Sequence, residues 1–455
     1  MTAAVASGRL GALVAERERV LGAFLAAEQD HLTRAARDLA AAFGRGGTLL
    51  VHGAAAAATD AAHVAVEFMH PVIVGKRALP ALAPVNDATG AASIARLARP
   101  DDVVIVICHG PADAAALQAL ADAGARGCLT IALLGAGGSA PAADHVLLVD
   151  SADPHVVQEV QETAYHVLWE LVHVLFDHPE LLEEACITCG DVAVAARVAA
   201  RTEGGAIVEV AGGREEVACE LVGEVAVGDL LLCHAGVALD RLDAEPPAPA
   251  EDPTAFLYPF LGSRPRSDPE AVLADLRAST LQKGADVIAL RRALDLAALA
   301  ACAAAIRARL ERGGRLVAFG NGGSTTDAQD LAADALAAGW PALALPDDVA
   351  TVTAVANDVG FENVFSRQLI ALGREPDVAV AISTSGSSPN LVAALEEAHR
   401  RGMLTCAIVG TDGGRVAALP WIDHLLHVRS DYVPRIQEAQ ATVYHLIIDA
   451  IGAPA

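Results

Sequence analysis

Aromatic and basic residues are both scarce in this chain. Phe, Trp and Tyr make up 4% of its 455 residues although 53% are hydrophobic, so we expect aliphatic cores rich in Ala and Val. Lys and Arg number 32 against 57 Asp and Glu, which gives a net charge of −25 at pH 7. Nucleic acids and anionic membranes are polyanions that bind basic patches. The charge therefore argues against both as partners.

Cysteines and long apolar runs are also few. Only 8 cysteines are scattered over the chain, and no basic segment followed by an apolar run opens it. No apolar stretch reaches the roughly 18 residues that a membrane span needs. These absences predict a cytoplasmic protein with reduced thiols, long enough for about two to four domains.

The most informative feature that is present is an internal duplication. The segment GRGGTLLVHG at 44–53 returns as ERGGRLVAFG at 311–320, and VVQEVQETAYH ending at His166 returns as RIQEAQATVYH ending at His445. Between them, VNDATG corresponds to ANDVGF, and PDDVVIVICHG corresponds to PDVAVAISTSG. Matching segments in a fixed order indicate two copies of one domain.

The pattern of the chain predicts an α/β protein. In each copy short apolar strands alternate with Ala-rich helical stretches, which is typical of a doubly wound parallel sheet covered on both faces. Residues 1–43 have the periodicity of two amphipathic helices. Close turns with period-two patterning predict a small antiparallel β-barrel in the middle of the chain. The predicted domains are 1–180, the barrel 186–243, a Pro-rich linker 244–268, and 269–455.

Two loops of the second copy have the composition of an anion-binding site. GNGGSTT follows an apolar strand at 320–326, and STSGSS at 383–388 follows another strand and precedes a helix. Free backbone N–H groups, hydroxyls and the positive end of a helix together bind phosphate. Because both loops follow strands of one α/β unit, a bound phosphate is favoured over two ordinary Ser-rich helix caps.

These motifs identify a resemblance. The order GNGGS, AND, STSGSSPN and RIQE…H is similar to the SIS (sugar isomerase) domain family, most closely to sedoheptulose 7-phosphate isomerases, over about 269–455. The resemblance implies that a phosphosugar binds, with its phosphate on the Ser/Thr loop. The implied phosphate contacts are Ser383, Thr384, Ser385 and Ser388, and the implied sugar contacts are Asn321, Ser324 and Asp358.

The same resemblance implies a metal and an acid–base pair. Such isomerases have His-x-x-x-Glu after the Gly loop and a Gln and a His on the last helix, which bind zinc, with Glu and the last His moving the proton. In the second copy Gln437 and His445 match, but Asp330 and Asp334 replace His and Glu. Asp334 and His445 are then the expected catalytic pair, and Asp330 and Gln437 the expected metal ligands. This oxygen-rich set suits Mg or Mn; alternatively, the two Asp only solvate a helix.

The first copy has the opposite pattern. His63, Glu67, Gln158 and His166 reproduce the whole family set, which predicts zinc here. Its loops have become GAAAAATD at 53–60 and CHGPAD at 108–113, without the hydroxyls that hold phosphate.

Because neither copy has both parts, we expect the copies to pack together as a pseudo-dimer. In the resembling enzymes the sites lie between subunits, so a composite site is one hypothesis: loop hydroxyls from the second copy, His and Glu from the first. The family also implies a homo-oligomer.

The middle module resembles a second family. CITCGDVAVAARV and VGDLLLCHAG, within 186–243, are similar to the HypC/HupF hydrogenase-maturation chaperones. The resemblance implies that Cys186 binds transient iron and hydrogenase-maturation proteins, and that His234 is its companion. The alternative is that Cys186 and Cys189 form a redox or structural-metal pair.

Three hypotheses follow. The first is a hydrogenase-assembly chaperone whose SIS domains bind a phosphosugar and form a scaffold. The second is a phosphosugar aldose–ketose isomerase, and the third a nonenzymatic sugar-phosphate sensor or docking scaffold.

Overall fold

The structure is a computed structural model of the whole chain. It describes residues 3–53, 55–71, 76–84, 90–177, 194–202, 205–210, 213–219, 221–223, 225–234, 237–242 and 269–452. Over these ranges, every helix is either too short or too polar to cross a membrane.

The first copy is an α/β layer structure built on five strands. Its helices are α1 (Ala3–Gly44), α2 (Ala58–Met69), α3 (Gly90–Leu97), α4 (Ala114–Gly124) and α5 (Pro154–Asp177). Its strands are β1 (Leu49–Gly53), β2 (Ala81–Leu82), β3 (Val103–Ile107), β4 (Leu129–Leu134) and β5 (His145–Leu148).

A small β module follows the first copy, and a second five-stranded α/β unit follows the module. The module contains β6 (Val194–Arg201), β7 (Gly205–Val210), β8 (Gly213–Ala218), β9 (Leu230–His234) and β10 (Val237–Leu242). The strands of the second copy are β11 (Leu316–Phe319), β12 (Ala342–Ala344), β13 (Val378–Ser383), β14 (Leu404–Val409) and β15 (His424–His427). Its helices are α6 (Pro269–Arg292), α7 (Leu296–Glu311), α8 (Gly323–Ala337), α9 (Val349–Asp358), α10 (Ser366–Leu372), α11 (Pro389–Arg400), α12 (Gly414–Ala417) and α13 (Val433–Ile451).

Both sheets are parallel throughout and have the same strand order. The first is β2-β1-β3-β4-β5 and the second β12-β11-β13-β14-β15. The strands are continuous apolar runs, and β3 and β13 are buried at every position, as expected of sheets covered on both faces. In this order the direction of winding reverses between β1 and β3, and between β11 and β13. The carboxyl ends of those strands form the crevice in which doubly wound folds bind ligands.

Residues 3–44 form one helix, so the prediction of two helices was wrong. α1 runs without a break from Ala3 to Gly44. Neither Gly11 nor Gly22 interrupts it, because the helix packs against α5, α6 and α7. Tertiary packing here outweighs the cost of about 1 kcal/mol for a glycine in a helix.

The two copies exchange helices and share their cores. Leu10 and Val14, from the start of α1, pack in the core of the second copy. Leu276 and Val287, from α6, pack in the core of the first. The last helices α5 and α13 contact each other between the two sheets. The expected pseudo-dimer within one chain is therefore the arrangement found.

The middle module is a closed barrel of mixed strand direction. Its strand order is β10-β8-β7-β6-β9, and the core includes Val198, Val208, Val217 and Leu231. The neighbouring pairs are antiparallel except β8 and β10, which pair in parallel at Val237 and Ala218. The sequence predicts an antiparallel barrel. In the structure four of the five strand pairs are antiparallel and one is parallel. The linker 244–268 lies outside the described residues.

Candidate functional site

The two polar loops of the second copy meet at one edge of its sheet. β11 and β13 are adjacent parallel strands, so the loops that follow them leave from the same edge. The Ser383 hydroxyl accepts a hydrogen bond from the Gly386 N–H at 2.9 Å, and Gly386 has a φ of +60°. A side chain at Gly386 would also collide with Gly413. The Ser/Thr loop is therefore folded tightly around its glycine, while Ser385 is exposed.

The predicted sugar contacts Asn321, Ser324 and Asp358 differ in their burial and in their hydrogen bonds. Asn321 and Asn390 join the Gly loop to α11 through reciprocal amide hydrogen bonds of 2.9 and 2.8 Å. Ser324 is buried in the first turn of α8. Asp358 is at the exposed end of α9, where its carboxylate accepts from the Asn357 amide at 2.8 Å. Thr384 and Ser388 are half-buried.

Side chains from the first copy reach the Gly loop of the second. His63 and Glu67 lie on α2, and the amide of Gln437 on α13 is 3.1 Å from His63 Nε2 and 3.5 Å from Glu67 Oε1. A Cβ at Gly323 would be 2.1 Å from Gln437 Nε2 and 2.9 Å from His63 Nε2. Only glycine at the start of α8 allows this approach. His166 completes the group, its ring 5.4 Å from that of His63. We name these four residues the His63 cluster.

The glutamine of the His63 cluster is not the one predicted. The family pattern predicts Gln158 at the same site as His63, but its amide donates to Asp330 of the second copy. Gln437, in turn, is predicted beside Asp330 but lies against His63. The two glutamines are exchanged because α5 and α13 pack against each other, so each helix carries its Gln to the other copy's site. We name Asp330, Asp334, Gln158 and His445 the Asp330 cluster.

Buried carboxylates crowd the space around His63. A cavity of about 10 Å³, roughly the size of one water or ion, is lined by Asp60, Glu162, Asp327, Asp330 and other polar residues. Burial raises the pKa of Asp327 to about 7, an effect that the charge of His63 opposes and Asp330 reinforces. Burial and the charges of Asp327 and Glu438 raise the pKa of Glu162 well above its usual value. Such a group of acids is more stable with a cation nearby.

Glu67, which also lies beside His63, differs from Asp327 and Glu162 in the direction of its pKa shift. Burial favours its neutral form, but the hydrogen bond and charge of His63 outweigh burial and lower its pKa. The His63 and Glu67 side chains, 3.6 Å apart, stabilise each other's charged forms. Glu67 is therefore ionised at neutral pH.

The His63 cluster fits a metal ion. Among the described residues, Glu67 Oε2, His166 Nε2 and Gln437 Oε1 are buried and have no hydrogen-bond partner. Ligand atoms of His63, His166 and Glu162 lie within 4.8 Å of one another. Two imidazoles with carboxylate and amide oxygens are donors that zinc and similar ions accept. Unpaired buried polar atoms at one place are costly unless something binds them.

The last histidine of each copy is oriented by a glutamate of the other. His166 Nδ1 is 2.9 Å from Glu438 Oε1, and His445 Nδ1 is 2.9 Å from Glu159 Oε1. A carboxylate that accepts the Nδ1 proton leaves Nε2 free to bind a metal or move a proton. Sequence reasoning did not assign these glutamates, although both follow a predicted Gln in the repeated QE pair.

The Asp330 cluster differs from the His63 cluster in its chemistry. Asp330, predicted as a metal ligand, already accepts hydrogen bonds from Gln158, from Thr59 at 3.2 Å and from Tyr444 at 2.8 Å. Asp334 Oδ2 lies 3.5 Å from His445 Nε2 and has no hydrogen-bond partner in the described part of the chain. The carboxylate of Asp330 is thus occupied, and that of Asp334 is available.

The first copy's loops form a different pocket. A cleft of about 200 Å³ is lined by His52, Cys108, His109 and Asp113, with small residues between them. Asp113 caps α4 by accepting from the Ala116 N–H at 2.7 Å. Its carboxylate occupies the helix end where a phosphate would bind and would repel an anion, in keeping with the prediction of no phosphate site here.

The chaperone residues are only partly described. His234 is the last residue of β9, opposite Val237 of β10. Cys186 and Cys189 lie outside the described residues.

Comparison with known proteins agrees with this geometry. The sequence model of the SIS domain matches residues 14–135 and 281–410, which together are more than half of the chain. The chain belongs to the SIS domain family, with two domains in tandem. The C-terminal domain of glucosamine-fructose-6-phosphate aminotransferase from Francisella tularensis has the same fold, with a TM-score of 0.55, 9% identity, and coverage of 97% of this chain and 96% of that one.

Individual relatives are similar over one copy's length. A phosphoheptose isomerase from Desulfovibrio desulfuricans is 50% identical over 148 residues, 31% of this chain and 70% of the relative. One from Paramagnetospirillum magneticum is 45% identical over 155 residues, 32% of this chain and 80% of the relative. The middle module, residues 192–248, matches the HupF/HypC family.

Proposed function

We propose that the chain converts a sugar phosphate between its aldose and ketose forms at one composite site. The observation that carries this proposal is the position of His63 and Glu67, from the first copy, against Gly323 and Gln437 of the second. The one complete Ser/Thr loop and the one complete His/Glu set thereby belong to the same site. The phosphoheptose isomerase relatives support this class of substrate.

The second copy binds the phosphate end of the substrate. Hydroxyls of Ser383, Thr384, Ser385 and Ser388, with the N–H groups that open α11, donate to phosphate oxygens. Asn321 and Ser324, on the neighbouring loop, contact the sugar hydroxyls. The reacting carbons then point towards the start of α8, where the first copy supplies the catalytic groups.

The first copy moves the proton. Glu67, ionised because of His63, removes a proton from the carbon next to the carbonyl and returns it to the neighbouring carbon. His166 Nε2, which has no hydrogen-bond partner among the described residues, exchanges a proton with the substrate oxygens. A divalent ion held by His63 and Gln437 would polarise the carbonyl oxygen, while Glu67 and His166 remain free to move protons. This assignment replaces Asp334 and His445 as the catalytic pair.

The phosphate loop is tested by ligand binding. Replacing Ser383 and Ser385 by Ala removes two donors, and we expect the thermal stabilisation by heptose, hexose or pentose phosphates to disappear. Ser139→Ala, at an exposed loop of the first copy, is the matched control and keeps the full shift. An unchanged shift in the double variant contradicts the loop assignment, whether or not the protein is an isomerase.

A second function is proposed for the barrel, supported by the HupF/HypC match and its closed five-stranded form. We propose that it binds iron and a hydrogenase-maturation protein through Cys186. A thiolate is a strong ligand for iron.

Cys186→Ala is expected to abolish iron binding and capture of the maturation protein, with Cys189→Ala having a smaller effect. Iron content and pull-down of the full chain measure both. Equal loss from the two variants favours a CxxC metal pair, and full hydrogenase maturation with Cys186→Ala excludes the chaperone function.

A further inference from the structure

Three side chains meet at the open end of the Asp330 cluster. Asp334 Oδ2 is 3.5 Å from His445 Nε2 and 3.5 Å from Nε2 of His155, which begins α5. The two imidazole rings are stacked, with centroids 4.5 Å apart and planes 5° from parallel. One ligand atom from each residue lies within 4.8 Å of the others.

Both histidines are held with Nε2 directed at Asp334. Glu159 Oε1 lies 2.9 Å from His445 Nδ1, and Asp449 Oδ1 lies 3.6 Å from His155 Nδ1. A carboxylate behind each imidazole is the arrangement that orients histidine ligands in metal sites. His445 Nε2 is fully buried, and in the described part of the chain neither it nor Asp334 Oδ2 has a hydrogen-bond partner.

We propose that His155, Asp334 and His445 bind a divalent transition-metal ion at a site separate from the His63 cluster. Two histidines and one carboxylate leave coordination positions open, a donor set that suits iron(II), zinc or manganese(II) and not a hard ion such as magnesium. The His155 side chain is 21% exposed and that of Asp334 12%, so ions and small ligands reach this site from solvent. The His63 cluster is closed by comparison, because the His63 and Glu67 side chains are each 3% exposed.

The site is not the second copy of the His63 cluster. In the His63 cluster, the imidazole of His63 lies beside the last histidine of the first copy, His166. The position of His63 is taken in the second copy by Asp330, whose carboxylate accepts three hydrogen bonds. The replacement imidazole, His155, comes from the opposite copy, and its counterpart in the repeated sequence is Pro434. The ion therefore binds nearer the surface, between α5, α8 and α13.

A network of ion pairs without a metal is the competing explanation. Two positively charged imidazoles stacked in one place repel each other, and several carboxylates are needed to hold them. A metal ion uses the same carboxylates and needs both imidazoles neutral. Cobalt(II) distinguishes the two explanations, because its visible absorption reports histidine and carboxylate ligation directly.

The full-length, metal-stripped protein is titrated with cobalt(II), and bound cobalt is measured by absorption and elemental analysis. Wild type is expected to bind two equivalents, whereas His155→Ala and Asp334→Asn each bind one. His63→Ala is the matched control, and it also binds one but keeps the spectrum that His155→Ala loses. Unchanged circular dichroism verifies that each variant folds.

The proposal is overturned if His155→Ala and Asp334→Asn both still bind two equivalents of cobalt. It is also overturned if both variants bind the same amount of cobalt as wild type, whatever that amount is. One equivalent in wild type that His155→Ala removes and His63→Ala retains would support this site and contradict the metal at the His63 cluster.

Discussion

Replacing Glu67 by Gln is expected to lower kcat for sugar-phosphate isomerisation by about 10²–10⁴-fold, the contribution of a positioned general base. Glutamine has nearly the same shape but cannot accept the proton from carbon. Glu67 is buried, and it is ionised because His63 offsets the cost of burial. The measurement is steady-state turnover of heptose, hexose and pentose phosphates.

Asp334→Asn is the matched control, because Asp334 occupies the corresponding position in the other copy. The composite site predicts that this variant keeps kcat near the wild-type value. If instead Asp334→Asn abolishes turnover and Glu67→Gln does not, catalysis belongs to Asp334 and His445, and the composite assignment fails. If neither wild type nor any variant turns over a sugar phosphate that binds, the protein is a sensor rather than an isomerase.

The asymmetry between the copies has a physical explanation. In a symmetric dimer both sites carry the same residues, and a change in one appears in the other. Fusion of two copies into one chain removes this constraint. The helices α5 and α13 still contact each other, so that each site draws on both copies. One site then retains the Ser/Thr loop and the His/Glu set, while the other is free to acquire His155 and lose its phosphate loop.

The fold followed largely from local sequence signals. Continuous apolar strands such as β13, bounded by glycine loops, predicted parallel sheets, and both sheets are parallel throughout. The break predicted within residues 1–43 was wrong because glycines there are stabilised by packing against α6 and α7, which no local window contains. The parallel pairing of β8 with β10 likewise depends on how the barrel closes.

The candidate site was predictable residue by residue but not in its grouping. His63, Glu67 and His166 were identified from a family motif, and the structure brings them together. Which glutamine joins them depends on how α5 and α13 pack against each other, a property of the two packed copies that no motif contains. His155 was missed because a single histidine at a helix start has no distinctive spacing; its partners Asp334 and His445 are about 180 and 290 positions away.

Glu159, the carboxylate that orients His445, is buried between the copies, and its loss is expected to be strongly destabilising. Glu159 is fully buried and accepts from Arg17 at 2.7 Å, Arg291 at 3.0 Å and Thr442 at 2.6 Å. Burial favours its neutral form, but the two guanidinium groups outweigh burial and lower its pKa below the usual range. The carboxylate thus ties α1, α5, α6 and α13 together.

Glu159→Ala would leave Arg17 and Arg291 buried without their main counter-charge. Removing one partner of such a network costs about 3–5 kcal/mol, which for a chain of this length corresponds to a fall in Tm of about 3–5 °C. Differential scanning calorimetry measures it. Glu311→Ala is the control: its ion pair with Arg307 is also short, at 2.8 Å, but half-exposed, and surface pairs contribute little. Similar Tm values for the two variants would mean that water already reaches the space between the copies. This carboxylate would then not hold the copies together.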